Sequence, residues 1–225
     1  MEILFLGTGA ADWDINGPRD GEFRRFSSAL IDGTLLIDPG PCVLEALDTF
    51  DVRAEGIKYI INTHPHMDHF NSSTVTELNM CGADFIDIAA GDTVSIGDYR
   101  ITAFAANHST CNNSKHFLIE KDGKRIFYAL DGAWLMYDES RELTENGADL
   151  IVLDATIGDI DGDYRIFEHN NLNMVREIKS TLAPHVKRFI ISHMARTLHT
   201  DHKTLCENMA KSGIEVAFDG FKTKV

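Results

Sequence analysis

The chain has 225 residues, 44% of them hydrophobic and 25% charged, with a formal net charge of −14. That balance excludes a disordered or low-complexity chain and fits one globular domain over residues 1–225. So negative a chain repels RNA and DNA at long range and attracts metal cations, so a small-molecule substrate is expected and nucleic acid is not. No apolar run reaches the roughly 18 residues that a membrane span needs. The opening Met1–Leu6 enters a strand pattern with no basic leader, which does not read as a secretory signal. Cys42, Cys81, Cys111 and Cys206 are scattered, as expected of reduced thiols in a cytoplasmic protein.

Glu2–Leu6 reads as a strand, ended by the glycine-flanked Gly7–Ala11. That loop is not a G-x-G-x-x-G phosphate loop. Asp12 to Ser27 is a long polar loop, of a length that often carries function. It holds the adjacent Arg24 and Arg25, of which one can face a site and hold a substrate phosphate or carboxylate. Ser28–Asp32 and Thr34–Asp38 form a hairpin around Asp32-Gly33. Pro41 to Phe50 follows as a short helix with Pro41 in its first turn.

Lys58–Asn62 is a short buried strand, and Asn71 or Ser72 caps a helix to about Met80. Ala83–Ala89 and Thr93–Ala106 hold three strands, the last turning at Gly97-Asp98 and running into His108. Lys115–Glu120 and Arg125–Leu130 make a second hairpin that ends at Asp131-Gly132, with His116 alternating inside it as a structural residue. A helix lies within Trp134–Gly147, and Asp149–Asp154 is a buried strand. The acidic loop Gly158–Tyr164 resembles part of a calcium loop but lacks a glutamate at the required offset, so calcium is rejected. Asn170 is placed as cap of a helix over Leu172–Leu182. Lys187–Ser192 is the last strong strand and delivers His193. His199, Asp201 and His202 lead into a helix from about Asp201 to Lys211, and Ile214–Phe218 closes as an edge strand.

The chemistry concentrates in Thr63-His64-Pro65-His66-Met67-Asp68-His69, on a strand-to-helix turn. Neutral imidazole and carboxylate are good ligands for a divalent transition metal. His64 and His66 lie two apart and can point to one side of an extended turn, while Asp68 and His69 follow once the chain has curled. Four ligands this close are too many for one open catalytic ion, so the spacing suggests two adjacent metals. A structural zinc site would normally recruit cysteine pairs, and no C-x-x-C occurs.

The segment H-P-H-M-D-H resembles the H-x-H-x-D-H signature of the metallo-β-lactamase superfamily of metallohydrolases. The resemblance implies an α/β fold, an αββα four-layer sandwich with two mixed β-sheets flanked by helices. It also implies seven ligand positions in family order: His64, His66, Asp68, His69, His108, Asp131 and His193. One ion would take His64, His66 and His108, the other Asp68, His69 and His193, with Asp131 and a hydroxide bridging. Asp68 counts both as ligand and as catalytic residue. Asp38 would steady the ligand imidazoles from behind. Leu6-Gly7-Thr8-Gly9 and His169 resemble the small cyclic-phosphodiesterase and tRNA 3′-processing branch, where a histidine at this place protonates the leaving group and a second one, here His202, often lies near substrate. That branch often carries a cysteine-bound structural zinc near its N-terminus, which residues 10–27 cannot supply.

The function implied is therefore a phosphodiesterase of small, including cyclic, substrates. The alternative is a lactone or thioester hydrolase using the same two metals, and a non-catalytic metal sensor is the non-enzyme reading. Zinc is expected first, with manganese and iron accepted by the same mixed ligands. No membrane partner is expected, and a homodimer is left open.

Overall fold

The computed structural model describes residues 1–225. In chain order its elements are β1 (Glu2–Gly7), β2 (Ser28–Ile31), β3 (Leu35–Ile37), α1 (Val43–Thr49), β4 (Tyr59–Ile61), α2 (Ser72–Met80), β5 (Asp84–Phe85), β6 (Thr93–Ile96) and β7 (Tyr99–Ala105). There follow β8 (Lys115–Lys121), β9 (Lys124–Ala129), α3 (Tyr137–Asn146), β10 (Ala148–Asp154), α4 (Leu172–Leu182), β11 (Val186–Ser192), α5 (His202–Ala210), β12 (Glu215–Val216) and β13 (Lys222–Lys224).

Strand side chains alternate between the two faces of a sheet, and here both faces are apolar. Leu150 and Val152 of β10 point one way, Ile151 and Leu153 the other, and all four are buried. Such strands need cover on both sides, which produces a four-layer stack. One mixed sheet has the order β13-β1-β2-β3-β4-β5, the other β12-β11-β10-β9-β8-β7-β6. Between them lies a core that joins Ile3, Phe5 and Ile37 to Phe117, Tyr128 and Val152. Outside the second sheet, Phe127, Leu153 and Ile191 pack against Leu143 of α3, Val175 and Ile178 of α4 and Leu205 of α5. Outside the first, Leu30, Leu36 and Ile60 pack against Val43 and Leu47 of α1 and Leu78 of α2. This is the expected αββα sandwich.

Two polar contacts clasp the sheets together at one end. Tyr99 Oη lies 2.8 Å from Thr34 Oγ1, and Lys121 Nζ lies 3.0 Å from Asp32 Oδ2.

The functional edge is set by parallel pairing. β3 and β4 run parallel, as do β9, β10 and β11. Leu153 pairs with Ala129 and Asp154 with Ser192, so the residues that end these three strands leave the sheet side by side. Open α/β sheets place their chemistry at such carboxyl ends.

Several boundaries differ from the sequence reading. The cap of α4 is Asn171, whose side chain accepts from Met174 N at 2.9 Å, rather than Asn170. Asn170 instead accepts from Trp134 N at 2.7 Å and donates its own N–H to Asp154 Oδ1. α1 begins at Val43, leaving Pro41 in the preceding turn. Only Asp84–Phe85 of the Ala83–Ala89 run pairs as a strand. A 3₁₀ turn at Tyr164–Phe167 and the edge strand β13 were not anticipated. For α2 the cap is Asn71, which accepts from Ser73 N and Thr74 N.

Candidate metal centre

The segment after β4 brings four imidazole or carboxylate groups to the cleft edge, and its backbone is held by a glycine. A Cβ on Gly40 would run into the carbonyl oxygen of Asp68, so the Asp38-Pro39-Gly40 corner can lie against this segment only without a side chain there. From the second sheet come His108 after β7, Asp131 after β9 and His193 after β11. Asp131 and His193 have φ of 53° and 61°, and Asp38 has 60°. Left-handed backbone at non-glycine residues is uncommon, and its gathering at three strand ends in one site marks geometry held for function.

His64, His66 and His108 offer nitrogens within 4.8 Å of one another, and so do the ligand atoms of Asp68, His69 and His193. His66 Nδ1 lies 3.2 Å from His108 Nε2. His69 Nε2 lies 3.1 Å from His193 Nε2 and 3.3 Å from Asp68 Oδ2. Asp131 Oδ2 sits between the groups, 2.5 Å from His69 Nε2 and 3.1 Å from His193 Nε2. That close approach to His69 is an ion-pair contact without hydrogen-bond geometry, because Asp131 Oδ2 is left buried and unpartnered. His64 Nε2 is orphaned in the same way. Buried polar atoms normally find partners. Two that converge with other ligand-type atoms on one cavity fit a bound cation.

Behind the ligands, one arrangement occurs twice. Asp38, fully buried, accepts from Thr63 N at 2.7 Å and Thr63 Oγ1 at 2.8 Å through Oδ1, and from His69 Nδ1 at 2.9 Å through Oδ2. Having donated its proton, Thr63 Oγ1 can only accept from His64 Nδ1, 3.0 Å away. His64 and His69 thus each carry a proton on Nδ1, and each Nε2 is aimed into the site. On the other side Thr156 Oγ1 donates to Asp154 Oδ2 at 3.0 Å and accepts from His193 Nδ1 at 2.7 Å. Asp154 Oδ2 is also 3.0 Å from His169 Nδ1. A Thr–Asp pair on each side therefore fixes which nitrogen faces the cleft.

The electrostatics follow. Burial, helped by the charge of His69, pushes His64 down to about 2, so it is neutral. Burial also lowers His108. Burial opposes charge on His69 and His193, but Asp131 and its neighbouring carboxylates outweigh it, raising His69 well above the usual range and His193 up to about 10. Asp68 and Asp131 are held below the ordinary carboxylate range by the same histidines despite their burial. Asp154 is buried too, and His169 beside it holds it low, while Asp154 in turn raises His169.

The cleft is about 220 Å³, lined by His66, Asp68, His108, Asp131, His169 and His193 among others. The structure thus brings together the seven ligand candidates and His169. It does not bring Arg24, Arg25 or His202 there. Arg24 is buried against Thr8 Oγ1 at 2.7 Å and the Ala217 carbonyl at 2.9 Å, and its Nη2 meets His202 Nδ1 at 2.9 Å. Arg25 bonds Glu45 at 2.9 Å and lies 3.5 Å from Asp219. These groups tie the Asp12–Ser27 loop to the body instead.

Three participants escaped the sequence reading. Asp154 and Thr156 could have been found by asking what ends a buried strand lying between those of Asp131 and His193. Arg165, which lines the cleft, carried no such signal.

The chain matches the family model of the metallo-beta-lactamase superfamily over residues 27–73. It is 30% identical over 115 residues to a UPF0173 protein of Pyrococcus abyssi, a match that covers 44% of this chain and 51% of that one. A second such protein, from Pyrococcus furiosus, is 27% identical over 114 residues, covering 43% and 51%. The chain spans about half the length of the curated relatives it matches. Among solved structures, Zn(2+)-bound PqqB from Methylobacterium extorquens superposes with a TM-score of 0.77 at 16% identity, over 100% of both chains. A diphosphatase from the PhnP family gives 0.76 at 18%, covering 100% of this chain and 97% of that one. Human tRNase Z, short form, gives 0.72 at 17%, covering 100% and 99%. These likenesses speak to the fold.

Proposed function

We propose that the chain is a metal-dependent hydrolase of the metallo-beta-lactamase superfamily and, within it, a binuclear phosphodiesterase acting on a small phosphodiester, cyclic ones included. The carrying observation is His169, held 3.0 Å from the buried Asp154 and lining the same cleft as His66, Asp68, His108, Asp131 and His193 of the ligand cluster. The PhnP-family diphosphatase and tRNase Z among its neighbours cut phosphorus–oxygen bonds, which supports the same reading.

His64 Nε2, His66 Nδ1 and His108 Nε2 would hold one divalent ion, Asp68, His69 Nε2 and His193 Nε2 the other, with Asp131 shared. Nitrogen and oxygen ligands together suit zinc first, and manganese or iron as well. When bound, two such ions supply Lewis acidity and make a water molecule acidic enough to ionise near neutral pH. Asp38 accepts from Nδ1 of His69 and Thr156 Oγ1 accepts from Nδ1 of His193, which aims each Nε2 at the site. His169, its Nδ1 fixed on Asp154, carries at Nε2 the proton that the leaving oxygen needs. The four cysteines are free thiols, which fits a reducing compartment such as the cytoplasm. No helix is long and apolar enough to cross a membrane.

The test is hydrolysis of bis-(p-nitrophenyl) phosphate by metal-analysed protein, beside a lactone and a thioester. His169→Ala should lower phosphodiester turnover by about 10²–10⁴-fold with both metals retained. Cleavage of the carbonyl substrates alone, indifferent to His169, would replace this reading with lactone or thioester hydrolysis.

A further inference from the structure

A neutral imidazole that offers Nε2 to an ion keeps its one proton on Nδ1, pointing away from the site. For three of the ligand histidines that proton has an acceptor. Thr63 Oγ1 lies 3.0 Å from His64 Nδ1, Asp38 Oδ2 2.9 Å from His69 Nδ1, and Thr156 Oγ1 2.7 Å from His193 Nδ1. His108 has none. Its Nε2 faces His66 Nδ1 at 3.2 Å, its ring is 4% exposed, and its Nδ1 is buried without a hydrogen-bond partner. A buried N–H left unpaired bears the full cost of its lost hydration.

The group that faces this nitrogen is Glu168, whose Oε2 lies 3.8 Å away. Glu168 closes the 3₁₀ turn Tyr164–Phe167, where its N–H donates to the Arg165 carbonyl at 2.9 Å, and it directly precedes His169. Its side chain reaches across to the segment after β7. Oε1 accepts from Ser109 Oγ at 2.6 Å, and Oε2 accepts from Thr110 Oγ1 at 2.8 Å. Burial opposes charge on this carboxyl, but the two hydroxyls outweigh it and hold the group below its ordinary value, so it is ionised. An ionised carboxylate oxygen accepts two hydrogen bonds, which leaves Oε2 one place for His108. Asp38 has the same pattern, taking the hydroxyl of Thr63 and the outer nitrogen of His69 on one carboxylate. Closing the 3.8 Å gap to the roughly 2.7–2.9 Å of a charge-assisted hydrogen bond takes a shift of about 1 Å, in a side chain that is 21% exposed.

We propose that Glu168 is a positioning residue of the ion site made by His64, His66 and His108: it accepts the Nδ1 proton of His108 when Nε2 holds an ion, and so fixes the ring. The proposal rests on His108 being a ligand and needs no particular substrate.

The experiment is competitive zinc titration against a chromophoric chelator, with proton and nitrogen-15 NMR of zinc-loaded, histidine-labelled protein beside it. Wild-type protein should bind two ions and show the His108 Nδ1–H far downfield and slow to exchange. Glu168→Ala should weaken one of the two sites by about 10–100-fold and lose that signal to exchange with water. Glu168→Gln keeps an acceptor oxygen but not the charge, and should fall between, with the signal retained but moved upfield. Ser109→Ala removes one bond between the carboxylate and the loop while leaving the carboxylate in place, and should bind both ions as the wild type does. Two sites of wild-type affinity in Glu168→Ala overturn the proposal. So does a Ser109→Ala protein weakened as much as Glu168→Ala, which would make Glu168 a brace of the loop. A wild-type protein that takes up no zinc is a different failure: it removes His108 as a ligand, and the proposal with it.

Discussion

Replacing Asp38 with asparagine tests whether the groups behind the ligands set the metal affinity. The carboxylate is fully buried and takes three hydrogen bonds. Two of them, from Thr63 N and Oγ1, fall on Oδ1. An asparagine must keep its carbonyl oxygen there, since an NH₂ group would face two donors. Its NH₂ then meets His69 Nδ1, now 2.9 Å from Oδ2, and donor opposes donor unless His69 gives up its Nδ1 proton. The remaining ring proton then sits on Nε2, aimed at Asp131 Oδ2 2.5 Å away, where a metal needs a lone pair. Loss of such an outer partner typically costs 10–100-fold in metal affinity, or about 1.4–2.7 kcal/mol. The metal-free protein loses less, because there the Nε2 proton of His69 already faces Asp131 and keeps that partner. Competitive zinc titration against a chromophoric chelator should therefore show one of two sites weakened, and the gap in Tm between metal-loaded and metal-free protein should shrink. Two sites of wild-type affinity in Asp38→Asn would refute the reasoning.

The two sites should also differ in their response to pH. His64 is neutral at pH 7 and releases nothing on metal binding, whereas His69 and His193 hold protons that a metal must displace. With His193 raised to about 10, affinity at the second site should climb from neutrality towards that value, and calorimetry in buffers of different ionisation enthalpy should detect protons released at that site alone. In metal-free protein the sign reverses for stability: the raised His193 stabilises the fold fully below its unfolded value of about 6.5, and this is lost as pH rises through about 10. Gly40→Ala alters no ligating side chain, yet its Cβ would push on the backbone carbonyl of the ligand residue Asp68, so a loss of about 1–3 kcal/mol together with a lowered metal content is expected in chemical denaturation and metal analysis. Unchanged metal content would mean that the corner relaxes freely.

The strands were legible because both faces of the sandwich are buried and their apolar runs are short and bounded by turn residues. His108, Asp131 and His193 were legible because each follows such a run, and His64, His66, Asp68 and His69 because they crowd into one short turn. Asp154 ends one as well, but its part depends on lying between the strands of Asp131 and His193, and sheet order is not written along the chain. Arg24 and Arg25 looked like anion binders by type. Burial against Thr8, His202, Glu45 and Asp219 made them struts of the fold instead. Arg165 follows directly on the acidic loop Gly158–Tyr164, two residues after Asp163, and only the 3₁₀ turn gives it direction. Asn170 and Asn171 are equivalent cap candidates by composition. Asp154 claims the first, and the helix takes the second.

The clasps between the sheets are of two kinds. At the end of Thr34 and Tyr99 they are made of hydroxyls, a lysine and a carboxylate, and they come with the polypeptide. At the cleft end, His64, His66, Asp68 and His69 reach from one sheet, and His108, Asp131 and His193 from the other, so each triad straddles the seam. An ion seated there works as a rivet as well as a reagent. The cleft end is already stitched by backbone bonds such as Met194 N to Thr8 O and Lys115 N to Thr63 O. Bound ions would add to that seam, so its mechanical closure would tighten with the same supply of metal as its chemistry.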